Sequence, residues 1–462
     1  MGRGYAVEQA VEAYLSKLGA THACPVSGLL IGQSSSQRDY VIMASRTPPR
    51  EGSASTAGKS LDKEWVAEHA RQVSRMLPGG LAVLGVFMIS DADAKDTVAT
   101  LSQLVFAVEN LISSEYLWNP ADDDITDCVT LHVNPKTRKY PFAYYYYYYY
   151  CMWLILYPHL RTICRTFDVK NPKSMAKLAD WKYHSGVCSS WSMVSCCVNV
   201  DMLVPLPGNG SAAEILDAFL KEGLKEWARQ IQHGICLFEG KTLPDDTELL
   251  AGQKRNRQTF TVQLLISPDD QSLSDVVQQC GGSVSVRGAI HSRAYLHSNK
   301  SKVRLAEKLL KRDVLSTVAA RVQMLLEELL MSEEGEGGGG GGGGSRGKHQ
   351  TAADTFALPR RIFCPVSSCG PVCVCDYQFS DEAKAEATDR LKEMLDIDVA
   401  EEHLDTSQES PAQILERGAA AELTVGPVEA LEPKRSKCVG VAMATAVALL
   451  ATAASMLYLS DI

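Results

Sequence analysis

The sequence predicts an α/β (α+β) protein built in layers. It has an N-terminal α/β domain over 1–205, a second α/β region over 206–331 and one C-terminal transmembrane helix over 439–459. Three observations predict it. Uninterrupted apolar runs bounded by glycine, such as 81–89, have the length and pattern of buried strands. Between them lie longer stretches with apolar residues at three- and four-residue spacing, the signature of amphipathic helices. The final run, 439–459, carries no charge, and at 1.5 Å per residue it reaches about 30 Å, the thickness of a bilayer's hydrocarbon core.

The chain opens on a helical pattern (Val7, Val11, Tyr14, Leu15) that runs into an apolar strand at 25–33 and a second strand at 39–44. Residues 46–59, rich in Pro, Ser and Gly, read as a loop. A helix at 62–76 turns through Leu77-Pro78-Gly79-Gly80 into the strand 81–89, and a helix follows at 95–114. That order, with buried central strands, is an α/β layered domain. Residues 128–133 and 164–169 alternate like two strands of one hairpin. Its tip is interrupted at 140–162 by a low-complexity insertion holding Tyr144 to Tyr150 in an unbroken row. Each phenol needs a partner when buried, which argues against a second membrane span there.

A strand at 198–204 precedes a helix at 213–232 whose buried face is Ile215, Phe219, Leu220, Leu224, Trp227 and Ile231. Strands at 259–266 and 282–289 lead to the longest helix, 302–331, with an apolar stripe of Val303, Leu310, Val314, Val318, Val322, Leu325 and Leu329. Core packing is the simpler explanation of that stripe; a partner's helix is the other. The stretch 332–356 is a linker containing the glycine run 337–344, and 357–398 reads as a hairpin and a helix. Residues 399–438 are acidic, poor in aromatics and read as a disordered tether with a reach of about 35 Å. Lys434, Arg435 and Lys437 form a basic collar before the span, and beyond it Asp461 is the one charged side chain in the sequence. Positive charge stays cytoplasmic, so the body is expected in the cytosol and the C-terminus in a lumen.

The bulk numbers narrow the function. A net charge of −9, with no basic stripe carrying interleaved aromatics, argues against a nucleic-acid binder. The N-terminus lacks an apolar core of a secretory signal, and Ala6 stands where myristoylation wants Ser or Thr. Fourteen cysteines are then expected as free thiols in a reducing compartment.

Several stretches together resemble the odorant-response-abnormal-four (Odr-four) family. They are Ser27-Gly28-Leu29-Leu30-Ile31-Gly32-Gln33, Thr47-Pro48-Pro49, the run from His69 through Val73-Ser74-Arg75-Met76-Leu77-Pro78-Gly79-Gly80 to Phe87, and Asp180-Trp181-Lys182-Tyr183 with Ser190-Trp191. The similarity extends over most of the chain, including the helix near residue 310, Cys375-Asp376-Tyr377 and the final span. The insertion at 140–162 departs from it. The resemblance implies a tail-anchored protein of the endoplasmic reticulum membrane whose cytosolic part, here 1–205, is MPN-like. It also implies a partner, the ubiquitin-fold-modifier-specific cysteine protease, joined through two MPN-like domains, and a role in moving a subset of G-protein-coupled receptors to the surface.

Active relatives of an MPN-like domain hold zinc with a His-x-His pair at the end of the strand that here is 81–89, and a later Asp. This sequence has Met88-Ile89-Ser90 there, and none of its ten histidines forms a His-x-His pair. A pseudoenzyme is expected, with no catalytic, cofactor-binding or metal residue. Cys364, Cys369, Cys373 and Cys375 crowd together, but their spacing is not that of a zinc knuckle. The segment 342–348 matches a phosphate-loop pattern only formally, because His349 replaces the magnesium-holding Ser or Thr and no strand precedes it. His291 and His297 read as surface or capping histidines. The expected function is a non-enzymatic membrane adaptor that concentrates its partner near membrane-bound substrates. The alternatives are a zinc isopeptidase-like hydrolase and a two-span membrane transport component.

Overall fold

A computed structural model describes residues 3–22, 25–50, 62–92, 94–119, 127–139, 159–170, 175–206, 212–249, 259–266, 282–298, 301–336 and 354–409. The chain divides into units 1–414 and 415–462, and every described residue belongs to the first. The tyrosine insertion, the glycine run and the transmembrane segment at 439–459 lie outside the described residues. Among the described residues no helix is long and apolar enough to cross a membrane.

The architecture is mixed α/β, with six α-helices and two main sheets among the described residues. The first sheet takes β1 (Gly4–Glu8), β2 (Val26–Gln33), β3 (Arg38–Arg46), β4 (Ala82–Ile89), β5 (Asp127–Lys139), β6 (His159–Asp168), β7 (Lys177–Leu178) and β8 (Asp180–His184) in the order β7-β6-β5-β4-β2-β3-β1-β8. Its central runs are apolar on both faces because helices cover both. Leu30, Val41, Phe87, Val129 and Leu131 meet α1 (Gln9–Thr21) through Val11, Leu15 and Leu18. Leu29, Ile31, Ile42, Val86 and Met88 meet α2 (Lys63–Arg75) and α3 (Ala94–Ser114). The hairpin expected from 128–133 and 164–169 is present, with Cys128 opposite Phe167.

One extended segment joins the two ends of this sheet. Leu178 pairs with Arg165 on β6, the Ala179 N–H donates to the Cys164 carbonyl, and the Asp180 N–H donates to the Arg3 carbonyl beside β1. Arg3 reinforces the closure by pairing with Asp39 on β3 at 2.6 Å and Asp127 on β5 at 3.7 Å. Joining the ends leaves little open edge to template aggregation.

The second sheet contains β9 (Ser192–Leu206), β10 (Ile235–Phe238), β11 (Thr259–Leu265), β12 (Gly282–Leu296) and β13 (Asp354–Ala357), ordered β10-β11-β9-β12-β13. β9 and β12 pair antiparallel along their full length. On β9, Val194, Cys196, Val198, Val200, Met202 and Val204 are buried under α4 (Ala212–His233) and α5 (Val303–Glu336). The alternate residues Cys197, Asn199, Asp201 and Leu203 face outward and are exposed.

The layout differs from the expected boundaries in four places. Residues 4–8 are a strand rather than helix, since over five residues a period of two cannot be told from one of 3.6. β9 belongs to the second sheet, so 1–205 spans parts of both. The hairpin β14 (Arg360–Pro365) and β15 (Cys373–Gln378), with α6 (Lys384–Leu395), closes the first core instead of standing apart, through Ile362, Cys364, Val374, Ala387 and Leu391. Residues 401–409 are ordered: Leu404 is buried, Asp405 bridges Phe363 through both backbone groups, and Glu409 is buried. The tether expected from 399 therefore does not begin before 410.

The turn Leu77-Pro78-Gly79-Gly80 is where the two sheets meet. Gly79 bridges Ala294 on β12, donating to the Arg293 carbonyl at 2.9 Å and accepting from the Tyr295 N–H at 2.8 Å. Gly80 has φ of +82°, and a Cβ there would lie 2.2 Å from the Tyr295 carbonyl oxygen. Only glycine fits both demands.

Candidate functional site

The end of β4 is where zinc ligands would stand if the domain were an active MPN-like hydrolase. Met88, Ile89 and Ser90 occupy it, all buried. Ser90 meets one histidine, His132 on β5, with Oγ 3.3 Å from Nε2. That nitrogen also lies 3.2 Å from the Ser90 carbonyl, which can only accept, so Nε2 carries the proton. It cannot then take one from the hydroxyl. The pair is no nucleophile and base.

The four clustered cysteines point apart. Cys364, Cys369, Cys373 and Cys375 direct their thiols at four different carbonyls, those of Pro365, Ile42, Pro371 and Arg75. Burial pushes the Cys364 and Cys375 thiols up to about 11, which keeps them neutral and poor as metal ligands. Among the described residues no three His, Cys, Asp or Glu side chains converge as a metal group. The pattern at 342–348 lies outside the described residues.

His291 and His297 are more than surface histidines. His297 Nδ1 lies 2.8 Å from Gln33 Oε1, and its ring stacks on Tyr40 at 4.8 Å. His291 faces the exposed Cys197 directly across β9 and β12, with Sγ 3.4 Å from Nδ1. The Arg293 Nε–H donates to His291 Nε2 at 3.2 Å, so the imidazole proton sits on Nδ1 and points at the sulfur. This thiol–imidazole pair is thus in the wrong tautomer for general-base activation of Cys197, and burial holds the thiol above its ordinary value.

Burial, then the Arg293 charge, pulls His291 down to about 4 from 6.5, which creates a pH dependence. The unfolded chain binds the proton more readily, so this contribution is complete above pH 6.5 and fades as pH falls toward 4. Urea midpoints should drop across that interval, and His291→Asn should flatten the drop. Parallel pH curves for the two proteins would contradict the assignment. His69 and His297, also lowered by burial, leave a residual slope.

The polar centre that sequence reading missed is a pair of buried ionic clasps. Asp313 on α5 accepts from both terminal nitrogens of Arg361 at 2.7 and 3.0 Å, from the Gly79 and Arg293 N–H groups at 2.8 and 2.9 Å, and from Ser292 Oγ. Glu409 accepts from both terminal nitrogens of Arg321 at 2.8 and 2.9 Å and from the Arg361 and His291 N–H groups. Burial opposes the charge on Arg361, but the adjacent Asp313 carboxylate outweighs it and the guanidinium is held more basic than usual. The signal was present: Asp313 interrupts the α5 stripe beside Val314, and Arg321 sits beside Val322. Both carboxylates and both terminal nitrogens of each arginine are paired within the body, which makes the clasps structural, joining the first sheet, β12, α5, β14 and the segment ending at Glu409, although Nε of Arg321 and of Arg361 is buried without a partner.

The apolar faces of α2 and α5, including the stripe for which a partner's helix was the other explanation, are occupied internally. On α2, Val66, Ala67, Ala70 and Val73 belong to the first core, while Leu310, Val314, Val318 and Val322 on α5 belong to the second.

Comparison with known proteins bears on this arrangement. The family model described as Odorant response abnormal 4-like matches residues 28–147 and 150–406. The protein odr-4 homolog of Homo sapiens is 38% identical over 490 residues, covering 100% of both chains. The odorant response abnormal protein 4 of Caenorhabditis elegans is 21% identical, covering 82% of this chain and 74% of that one. Among solved structures, the UfSP from C. elegans aligns with 86% of this chain and 57% of its own at a TM-score of 0.41 and 9% identity, a score too low to assign a fold. With the family model covering most of both sheets, the Asp313–Arg361 clasp and the final hairpin, the chain belongs to the odorant response abnormal 4-like family.

Proposed function

We propose that this protein is a non-enzymatic, tail-anchored adaptor of the endoplasmic reticulum membrane. In this reading it recruits a ubiquitin-fold-modifier-specific cysteine protease and supports the trafficking of a subset of G-protein-coupled receptors. The observation that carries the reading is family membership over nearly the whole chain, alongside full-length likeness to the human odr-4 homolog. The charge-free run 439–459 behind Lys434, Arg435 and Lys437 supports the anchor, with the body cytosolic and the C-terminus lumenal. A mixed sheet with helices on both faces is compatible with an MPN-like domain. Its strand end at Met88-Ile89-Ser90 offers none of the zinc chemistry of active members.

An adaptor needs only an anchor and an interface. Confinement to a membrane raises the partner's local concentration there without any new contact to substrate. Capture from cells should recover the modifier protease with both the full chain and residues 1–438, while only the full chain carries it into the membrane fraction. Recovery by neither protein would overturn the reading.

A further inference from the structure

Two free cysteines from distant parts of the chain meet sulfur to sulfur. Cys188 lies in the loop between β8 and β9, and Cys369 in the turn between β14 and β15. Both are 1% exposed and belong to the first core, and the Cys188 thiol is hydrogen-bonded to the Cys369 sulfur. Each sits on a fixed turn. The Glu8 carboxylate accepts from the Gly186 and Val187 N–H groups at 3.1 and 2.7 Å, and the Trp191 N–H donates to the Cys188 carbonyl at 3.1 Å. Opposite, the Cys369 N–H donates to the Val366 carbonyl at 2.9 Å, and the Cys369 carbonyl accepts from the Val372 N–H at 3.2 Å. Exposed neighbours flank both thiols, Ser189 after the first and Ser368 and Gly370 around the second, so a small opening of either turn admits solvent.

The surrounding hydrogen bonds give the two thiols unequal roles. Cys369 directs its one proton at the Ile42 carbonyl, 3.6 Å away, so the Cys188 thiol and the Ser368 hydroxyl at 3.5 Å donate to its sulfur. Those donors favour the thiolate and outweigh burial, holding Cys369 below the ordinary thiol value. The other nine described cysteines are all pushed up. Cys188, as donor to that sulfur and then by burial, keeps its proton.

We propose that a peroxide joins Cys188 and Cys369 in a reversible disulfide, which fastens the final hairpin to the loop leading into β9. The Cys369 thiolate attacks hydrogen peroxide and breaks its O–O bond, giving a sulfenic acid and hydroxide. The Cys188 sulfur then attacks the sulfenic sulfur and breaks its S–O bond, expelling a second hydroxide. The two thiol protons leave with the two hydroxides as water; each sulfur has lost one electron, and the peroxide has gained both. The inference stands apart from the adaptor reading, since the bond can fail to form while protease recruitment holds.

The test uses the full chain in detergent, treated with hydrogen peroxide, then unfolded with an alkylating reagent present and digested for mass spectrometry. A peptide joining Cys188 to Cys369 should appear and vanish on reduction with dithiothreitol. In Cys188→Ser a sulfenic acid should instead accumulate on Cys369 and be trapped by dimedone. Absence of the joined peptide, or its formation only when peroxide is added after unfolding in urea, overturns the proposal. So does equal linkage of Cys369 to Cys364 or Cys373, which would show general reactivity in the hairpin rather than a matched pair.

Discussion

Asp313→Ala should lose about 3–5 kcal/mol of folding stability, read as a large fall in the urea midpoint. Asp313 is 2% exposed and Arg361 1%, so the substitution leaves a buried guanidinium without its counter-charge. Two further donors, the Arg293 amide and the Ser292 hydroxyl, lose this acceptor at the same time, while the Gly79 amide is left with the Arg293 carbonyl alone. The double replacement Asp313→Leu with Arg361→Met should recover much of the loss, because removing both charges also removes the desolvation they suffer. If the double variant is no better than the single one, the loss comes from the amide contacts and not from the stranded charge. In either case the joint between Gly79 and β12 is expected to loosen first.

Glu409→Ala should cost a similar amount, about 3–5 kcal/mol, by stranding Arg321, which is 1% exposed. Here the loss has a local signature. Residues 401–409 are held by Glu409, by the Asp405 bridge to Phe363 and by Asp405 to Arg293 at 3.3 Å. Hydrogen exchange should therefore rise in 401–409 and in β14 before it rises in α1. Uniform loss of protection across the chain would show that the clasp belongs to the global fold and does not pin this segment on its own.

Much of the fold was legible because its signals are local. The apolar run 81–89 is a strand buried on both faces, and the spacing of Val303, Leu310, Val314 and Val318 is a helix face, whatever each packs against. β1, β7, β8, β10 and β13 were not legible. Each spans five residues or fewer, too short for a period to register, and each is a strand because a neighbour's backbone is there to pair with. The candidate site followed the same division. The lack of a His-x-His pair at Met88-Ile89-Ser90 was plain from residue types, but the inertness of the two histidine contacts depends on Arg293 and on the Ser90 carbonyl, which set the tautomers.

From residues alone come the strand and helix repertoire, the uncharged final run behind its basic collar, the acidic balance and the family resemblance. Tertiary structure alone decided that β9 joins the second sheet, that the last hairpin completes the first core, and that Asp313 meets Arg361 while Glu409 meets Arg321. Those partners lie 48 and 88 residues apart in the chain. Periodicity reports only on a residue's near neighbours, whereas a buried charge finds its counter-ion wherever packing excludes water from both.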